Sequence, residues 1–308
     1  MTPVNAAKRP IRVACVGHAS LDHVFEIDAF PSAPTKTPAM GYRRLAGGMS
    51  LNAAVAAARL GAAVRLIGRV GDDDAAHFLR EQLRQEGIDA RGLETVRGSA
   101  TSVSAIVVDA RGDRQIFNHR GEAITRAHAL DTRQLEGADV LLADPRWVAG
   151  TEAALRWARQ HRVLSVLDAD VAPREDLQRL VPLADWAVFS EGGLHCWRAG
   201  ANASNTLPLI CRLGGTMAMV TCGEHGSWRS NGGVAIHQAA PQVVAADTTA
   251  AGDVFHGALG VALAEGAASD DAVRFASAAA AFKCERGAGA LGAPRRHELT
   301  AWLKERLT

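Results

Sequence analysis

Short apolar runs rich in Val, Ile and Leu alternate along the chain with longer segments whose apolar positions recur at helical spacing. The runs "IRVACVG" (11–17), "VRLIGRVG" (64–71), "DVLLAD" (139–144), "VLSVLDAD" (163–170), "WAVFS" (186–190) and "MAMVTCG" (217–223) read as buried strands. Between them, "SLNAAVAAARLGA" (50–62), "DAAHFLREQLRQEG" (74–87), "TEAALRWARQH" (151–161) and "TLPLICRLG" (206–214) read as helices, the first two with a stop at Gly61 and Gly87. This alternation predicts a doubly wound α/β fold, a mostly parallel sheet between two helical layers. Two segments depart from it. Residues 22–46 and 97–120 alternate apolar and polar positions, with "ARGD" as a hairpin turn, and predict a small half-buried β-sheet lid beside the main sheet. With no repeats or low-complexity linkers, residues 10–308 read as one domain behind a loose tail at 1–9.

Composition narrows the classes. The 308 residues are 48% hydrophobic, enough for a sizeable core. Lys and Arg total 34 against 33 for Asp and Glu, so the overall charge does not suggest nucleic acid or a membrane surface as partner. The five cysteines show neither metal spacing nor disulfide-scaffold density, and a reducing cytoplasm is expected. No apolar segment suits a signal peptide or a membrane span.

The chemistry concentrates in "AADTTAAGDVFHGALGVALAEG" (245–266), where a turn of small and polar residues runs into an apolar helix. The first N–H groups of a helix are unpaired and carry its positive dipole end, so Ala250, Ala251, Gly252 and Asp253 stand where an anion could bind. An ordinary capped helix, with Asp253 as a first-turn carboxylate, explains the same letters. Upstream, "AGGMSLN" (46–52) adds paired glycines that admit a close ligand and Asn52, which can both donate and accept. Asp22, Asp144, Arg146, Asp168 and Asp170 fall at or after strand ends, where ligands bind in open α/β sheets. "GAGALG" (287–292) matches a dinucleotide pattern, but it follows a helix and reads as a glycine-rich loop; His256 reads as a helix-face histidine.

Taken together, "AGGMSLNAAVAAARLGA" and "DTTAAGDVFHGAL", with "IGRVGDD" and "VTCGEHG" between them, resemble the signature regions of the ribokinase-like, or PfkB, carbohydrate kinases from about residue 11 to the end. That resemblance implies ATP-dependent phosphorylation of a sugar hydroxyl, ATP with Mg²⁺, and a β-sheet lid that often joins two subunits in a homodimer. It implies Asp253 as catalytic base and the backbone of Ala251, Gly252 and Asp253 as the anion hole, with Ala250 in the same catalytic turn. Asp22, Gly48 and Asn52 would bind sugar. Thr221, Gly223, Gly226, Ala280 and Cys284 would line the nucleotide pocket, and Asp247 and Thr249 would hold a monovalent cation such as K⁺.

The chain departs from the family pattern at three places. Ala250 replaces a common glycine, a change expected to be tolerated unless the position needs positive φ. The magnesium-associated N-x-x-E motif appears as "SEGG" (190–193), which keeps only Glu191, and "RGEA" (120–123) replaces a sugar-contact motif. Within the family, "VLLADPRW", "VLDADVAP" and "FSEGGL" are similar to sulfofructose kinases, which phosphorylate 6-deoxy-6-sulfofructose at its 1-hydroxyl; "AGGMSLN" replaces that group's glycine-rich stretch. This narrower likeness implies that Lys36, Asn118 and Arg146 bind the sulfonate; by composition alone, Lys36 and Arg146 are ordinary surface charges. Other acceptors (fructose, fructose 6-phosphate, ribose, a nucleoside) and a non-catalytic sugar- or nucleotide-binding module are the alternative readings.

Overall fold

The computed structural model describes residues 9–125, 128, 130–214 and 217–306. The expected tail, apart from Arg9, lies outside the described residues. The strands are β1 (Arg12–Gly17), β2 (Ser20–Glu26), β3 (Gly41–Gly47), β4 (Ala63–Val70), β5 (Asp89–Thr95), β6 (Ser102–Val108), β7 (Arg114–His119), β8 (Val140–Ala143), β9 (Leu164–Ala169), β10 (Trp186–Ser190), β11 (Met217–Thr221), β12 (Ser227–Ser230) and β13 (Ile236–Gln238). The helices are α1 (Met49–Arg59), α2 (Asp74–Gln85), α3 (Glu122–Thr125), α4 (Val148–His161), α5 (Arg174–Leu180), α6 (Glu191–Trp197), α7 (Ala203–Gly214), α8 (Ala251–Ala264), α9 (Ser269–Arg286) and α10 (Arg296–Arg306).

Nine strands form the main sheet in the order β13-β12-β11-β10-β9-β8-β1-β4-β5, parallel from β5 to β11, with β12 and β13 antiparallel at one edge. Successive side chains of a strand point to opposite faces, so each central strand feeds two cores. Val13 and Cys15 pack with α1, α2, α8, α9 and α10, whereas Ala14 and Val16 pack with α4, α5, α6 and α7. Strand order reverses at β1, which pairs β4 on one side and β8 on the other. The crevice at such a reversal is where an α/β sheet places ligands.

The two alternating segments form a separate four-stranded sheet, β3-β2-β6-β7. Its register lines up Asp22, Ser104 and Asn118 in one row, because Asp22 pairs with Ser104 and Ser104 with Asn118. No described helix is long and apolar enough to cross a membrane.

Small residues set the distance between α1 and α8. A Cβ on Gly257 would lie 2.5 Å from the Ala53 carbonyl and 2.8 Å from the Ala56 methyl, so the alanine-rich face of α1 approaches α8 backbone to backbone. This brings Asn52 of α1 within 2.7 Å of Asp253 of α8. We expect Gly257→Val to push the helices apart, costing about 1–3 kcal/mol as overpacking does. Denaturant unfolding measures the loss, and unchanged stability would show that the close approach is unimportant.

Candidate active site

The turn before α8 is built on Asp247. Its carboxylate accepts the Thr249 N–H at 2.7 Å and the Gly289 N–H at 2.9 Å, so the glycine-rich loop after α9 closes onto it. Burial would raise its pKa, but these two N–H groups and the Lys283 ammonium hold it down at about 2. Ala250 then adopts φ 62°, ψ 13°, and no side chain caps α8. The alanine expected to be neutral thus occupies the left-handed region, which strains a residue with a Cβ. The turn ends on the first-turn N–H groups of Gly252 and Asp253, where a helix attracts anions.

Asp253 is half-buried and accepts a hydrogen bond from Asn52 Nδ2 at 2.7 Å. Burial, and then the Asp168 carboxylate, push its pKa up to about 7, against the Asn52 hydrogen bond and His256. Asp168 itself is raised well above its usual value by burial and by Asp170 and Asp144. His256 is a buried helix-face histidine, as expected; its Nδ1 lies 2.6 Å from the Gly252 carbonyl and its Nε2 3.5 Å from Asp168 Oδ1. Asn52 Oδ1 is buried with no hydrogen-bond partner, an acceptor left for a hydroxyl.

A cavity of about 390 Å³ under the lid is lined by Asp22, Asn52, Asp247, Thr249 and Ala250, among others. Gly48 starts α1 at φ 96°, and a Cβ there would lie 2.6 Å from the His18 carbonyl. Asp144, at the sheet's reversal, accepts the His18 N–H at 2.7 Å, the Ser50 N–H at 3.1 Å and the Ser50 hydroxyl at 2.6 Å. It therefore anchors the start of α1.

The charges of Arg146 and Arg120 act on the buried His18, whose ring meets the lid at Ser102. His18 Nε2 lies 2.8 Å from Ser102 Oγ, and Asn118 Nδ2 donates to Ser104 Oγ at 3.1 Å and to Ser102 Oγ at 3.4 Å. Burial lowers His18 to about 4, with Asp144 opposing and the Arg146 and Arg120 charges assisting. Arg146 donates to the Val171 carbonyl at 2.7 Å and lies 3.4 Å from Asp170. Lys36 is exposed on the segment between β2 and β3 and, like Asn118, Arg120 and Arg146, lines neither the cavity under the lid nor the larger cleft around Thr221 and Cys284.

A larger cleft of about 790 Å³ is lined by Asp253 itself and meets the first cavity at Arg114, Thr248 and Ala250. It brings together Thr221, Gly223, Gly226, Ala280 and Cys284, and adds Asp168, Asp170, Glu191, Ala251 and Gly252. Glu191 stands beside the Cys222 thiol, whose pKa is raised by burial and by that carboxylate.

Comparison with known proteins decides the family. The pattern of the pfkB family carbohydrate kinases matches residues 10–296. The chain belongs to this family. A Bacillus subtilis ribokinase is 31% identical over 293 residues, covering 93% of this chain and 97% of the relative. A Klebsiella pneumoniae fructokinase is 30% identical over 227 residues, covering 68% of this chain and 74% of the relative. A crystal structure of a putative ribokinase from Agrobacterium tumefaciens superposes with a TM-score of 0.92 at 34% identity, covering 97% and 99% of the two chains.

This pfkB-family kinase therefore has the ribokinase-like α/β fold with a separate lid sheet, and is an ATP-dependent kinase of the class that acts on sugars and nucleosides. Three charged residues at its site were not singled out from sequence. Arg120 lies inside "RGEA", Arg114 reaches from β7 to donate to Thr248 Oγ1 at 2.7 Å, and Lys283 is buried in an alanine-rich helix. The departure at "RGEA" was the available signal for Arg120.

Proposed function

We propose that this kinase transfers the γ-phosphoryl group of ATP to the 1-hydroxyl of a ketohexose with an anionic group at C6, with 6-deoxy-6-sulfofructose as the first candidate. The observation that carries the acceptor class is that the charges of Arg120 and Arg146 both act on His18, whose Nε2 shares Ser102 Oγ with the amide of Asn118. Burial first, and then the charge of Arg146, lower the pKa of Arg120, against the carboxylates of Asp176 and Asp144. A tetrahedral oxyanion held by both guanidiniums would accept from both forks.

In this reading Asp22 and Asn52 bind sugar hydroxyls, with the orphaned Asn52 Oδ1 accepting one of them. Asp253 takes the hydroxyl proton as the new oxygen–phosphorus bond forms and the bond from γ-phosphorus to the β-phosphate oxygen breaks. The N–H groups of Gly252 and Asp253 stabilise charge on the moving phosphoryl group. Thr221, Gly223, Gly226, Ala280 and Cys284 enclose the nucleotide.

Magnesium suits this cleft, since it binds through one or two carboxylates and substrate phosphates, and Glu191 and Asp170 both line it. Held there by Glu191 and Asp170, it would neutralise charge on the phosphate oxygens. Among the described residues no cluster of three or more His, Cys, Asp or Glu is placed to hold a metal ion.

ATP consumption measured over neutral, phosphorylated and sulfonated ketohexoses, pentoses and nucleosides tests this function. The sulfonated ketohexose should be turned over best. Turnover with none of them would overturn the kinase mechanism in favour of a binding module, and preference for ribose or fructose, suggested by the relatives' names, would overturn the acceptor alone.

We also propose that the lid pairs with that of a second copy. β7 is an edge strand exposed along its whole length, with Ile116 50% and Phe117 58% exposed, and such an edge is usually covered. Light scattering should show a dimer that Phe117→Glu dissociates; a monomeric wild type would contradict this.

A further inference from the structure

The side chain of Lys283 is completely buried, although it sits in the run "AAAAFKCERG" with no acidic residue on its own face of α9. A buried ammonium persists only when paired. Its partner is Asp247. Lys283 Nζ donates to the Asp247 carbonyl at 2.6 Å and lies 3.3 Å from the Asp247 carboxylate. The carboxylate is further held by the Thr249 and Gly289 N–H groups. These oxygens stand where the family resemblance expects a monovalent cation, at Asp247 and Thr249.

The residues present do not fit such an ion. A K⁺ bound to the same carbonyl and carboxylate would sit against an ammonium with little solvent between them, and like charges at that range repel strongly. A second cation is close by, since Arg114 donates to Thr248 Oγ1 at 2.7 Å and its charge is felt at Lys283. The packing leaves the ammonium little scope to withdraw, because its stem lies against the loop after α9, where a Cβ on Gly292 would be 3.5 Å from Lys283 Cγ.

We infer that the Lys283 ammonium is a built-in replacement for the monovalent cation, holding the turn of residues 247–252 in place so that this kinase needs no K⁺. Lys283 is a positioning residue. It touches the carbonyl and carboxylate of the turn, and through them sets the conformation that ends on the Gly252 and Asp253 N–H groups.

The test needs no acceptor sugar, so it stands apart from the assignment of the substrate. Thermal unfolding of the full-length wild-type protein is measured in potassium, sodium and choline chloride at matched ionic strength. The three midpoints should coincide, and a rise specific to potassium would overturn the inference. Lys283→Met removes the charge while keeping much of the stem. Its midpoint should fall in choline and recover in potassium, and a folded variant indifferent to potassium would also overturn it. Should the variant not fold, the wild-type comparison still decides. With a working acceptor in hand, the wild-type kcat should be the same in all three salts, whereas Lys283→Met should be activated by potassium at least about fivefold, the lower end of ordinary coupling between two bound ligands.

Discussion

Asp253→Asn should lower kcat by at least about 100-fold, the usual cost of losing a positioned general base, while leaving ATP binding intact. The substitution is isosteric, and the new amide can still present its oxygen to Asn52 Nδ2, which donates to Asp253 at 2.7 Å in the wild type. It also removes a carboxylate that burial and Asp168 disfavour in its charged form, so the variant should be at least as stable as the wild type. Steady-state kinetics on the preferred acceptor, with thermal shift by ATP as the binding control, separate the two effects. Near-wild-type turnover would remove Asp253 from the chemistry.

The second large effect concerns the acceptor. Arg146→Ala should reduce kcat/KM for a C6-anionic ketohexose by about 10- to 150-fold, since a charge-assisted hydrogen bond contributes about 1.5–3 kcal/mol. Arg120→Ala should act in the same direction. For a neutral ketose both variants should stay close to wild type. Arg146 also ties the Val171 carbonyl at 2.7 Å, so its variant must be compared on neutral and anionic sugars to separate lost packing from lost recognition. Lys36→Ala is the informative control. Exposed on the segment between β2 and β3, it should contribute less than either arginine. Equal losses on neutral and anionic acceptors would defeat the anion-site reading.

The parallel core was legible because each of its central strands is a continuous apolar run, and the lid because its strands alternate. The edges were not. β5 carries Asp89, Arg91, Glu94 and Thr95 on a strand that faces solvent, and β12 and β13 are too short for a period to show. The two glycine-bearing motifs pointed to Asn52 and Asp253, but their contact depends on Gly257 and Ala53 letting two helices meet. The row of Asp22, Ser104 and Asn118 exists only once β2 pairs with β6 and β6 with β7, a register that no local pattern encodes. Lys283 was hidden because nothing in an alanine-rich helix shows that its partner lies in a distant turn. Ala250 could be flagged as a departure, whereas its positive φ could not be read from its neighbours.

The proposed role of Asp253, a base that burial and Asp168 poise near neutrality, is read in the pH profile of kcat/KM for the sugar at saturating ATP. A carboxylate raised to about 7 is a base only in its ionised form, so activity should be full above that value and fall tenfold per unit below it. Asp253→Asn should lose this acid limb along with the rate. A wild-type profile that stays flat from about pH 5 to 8 would contradict the account, because an unperturbed carboxylate would already be ionised throughout that range.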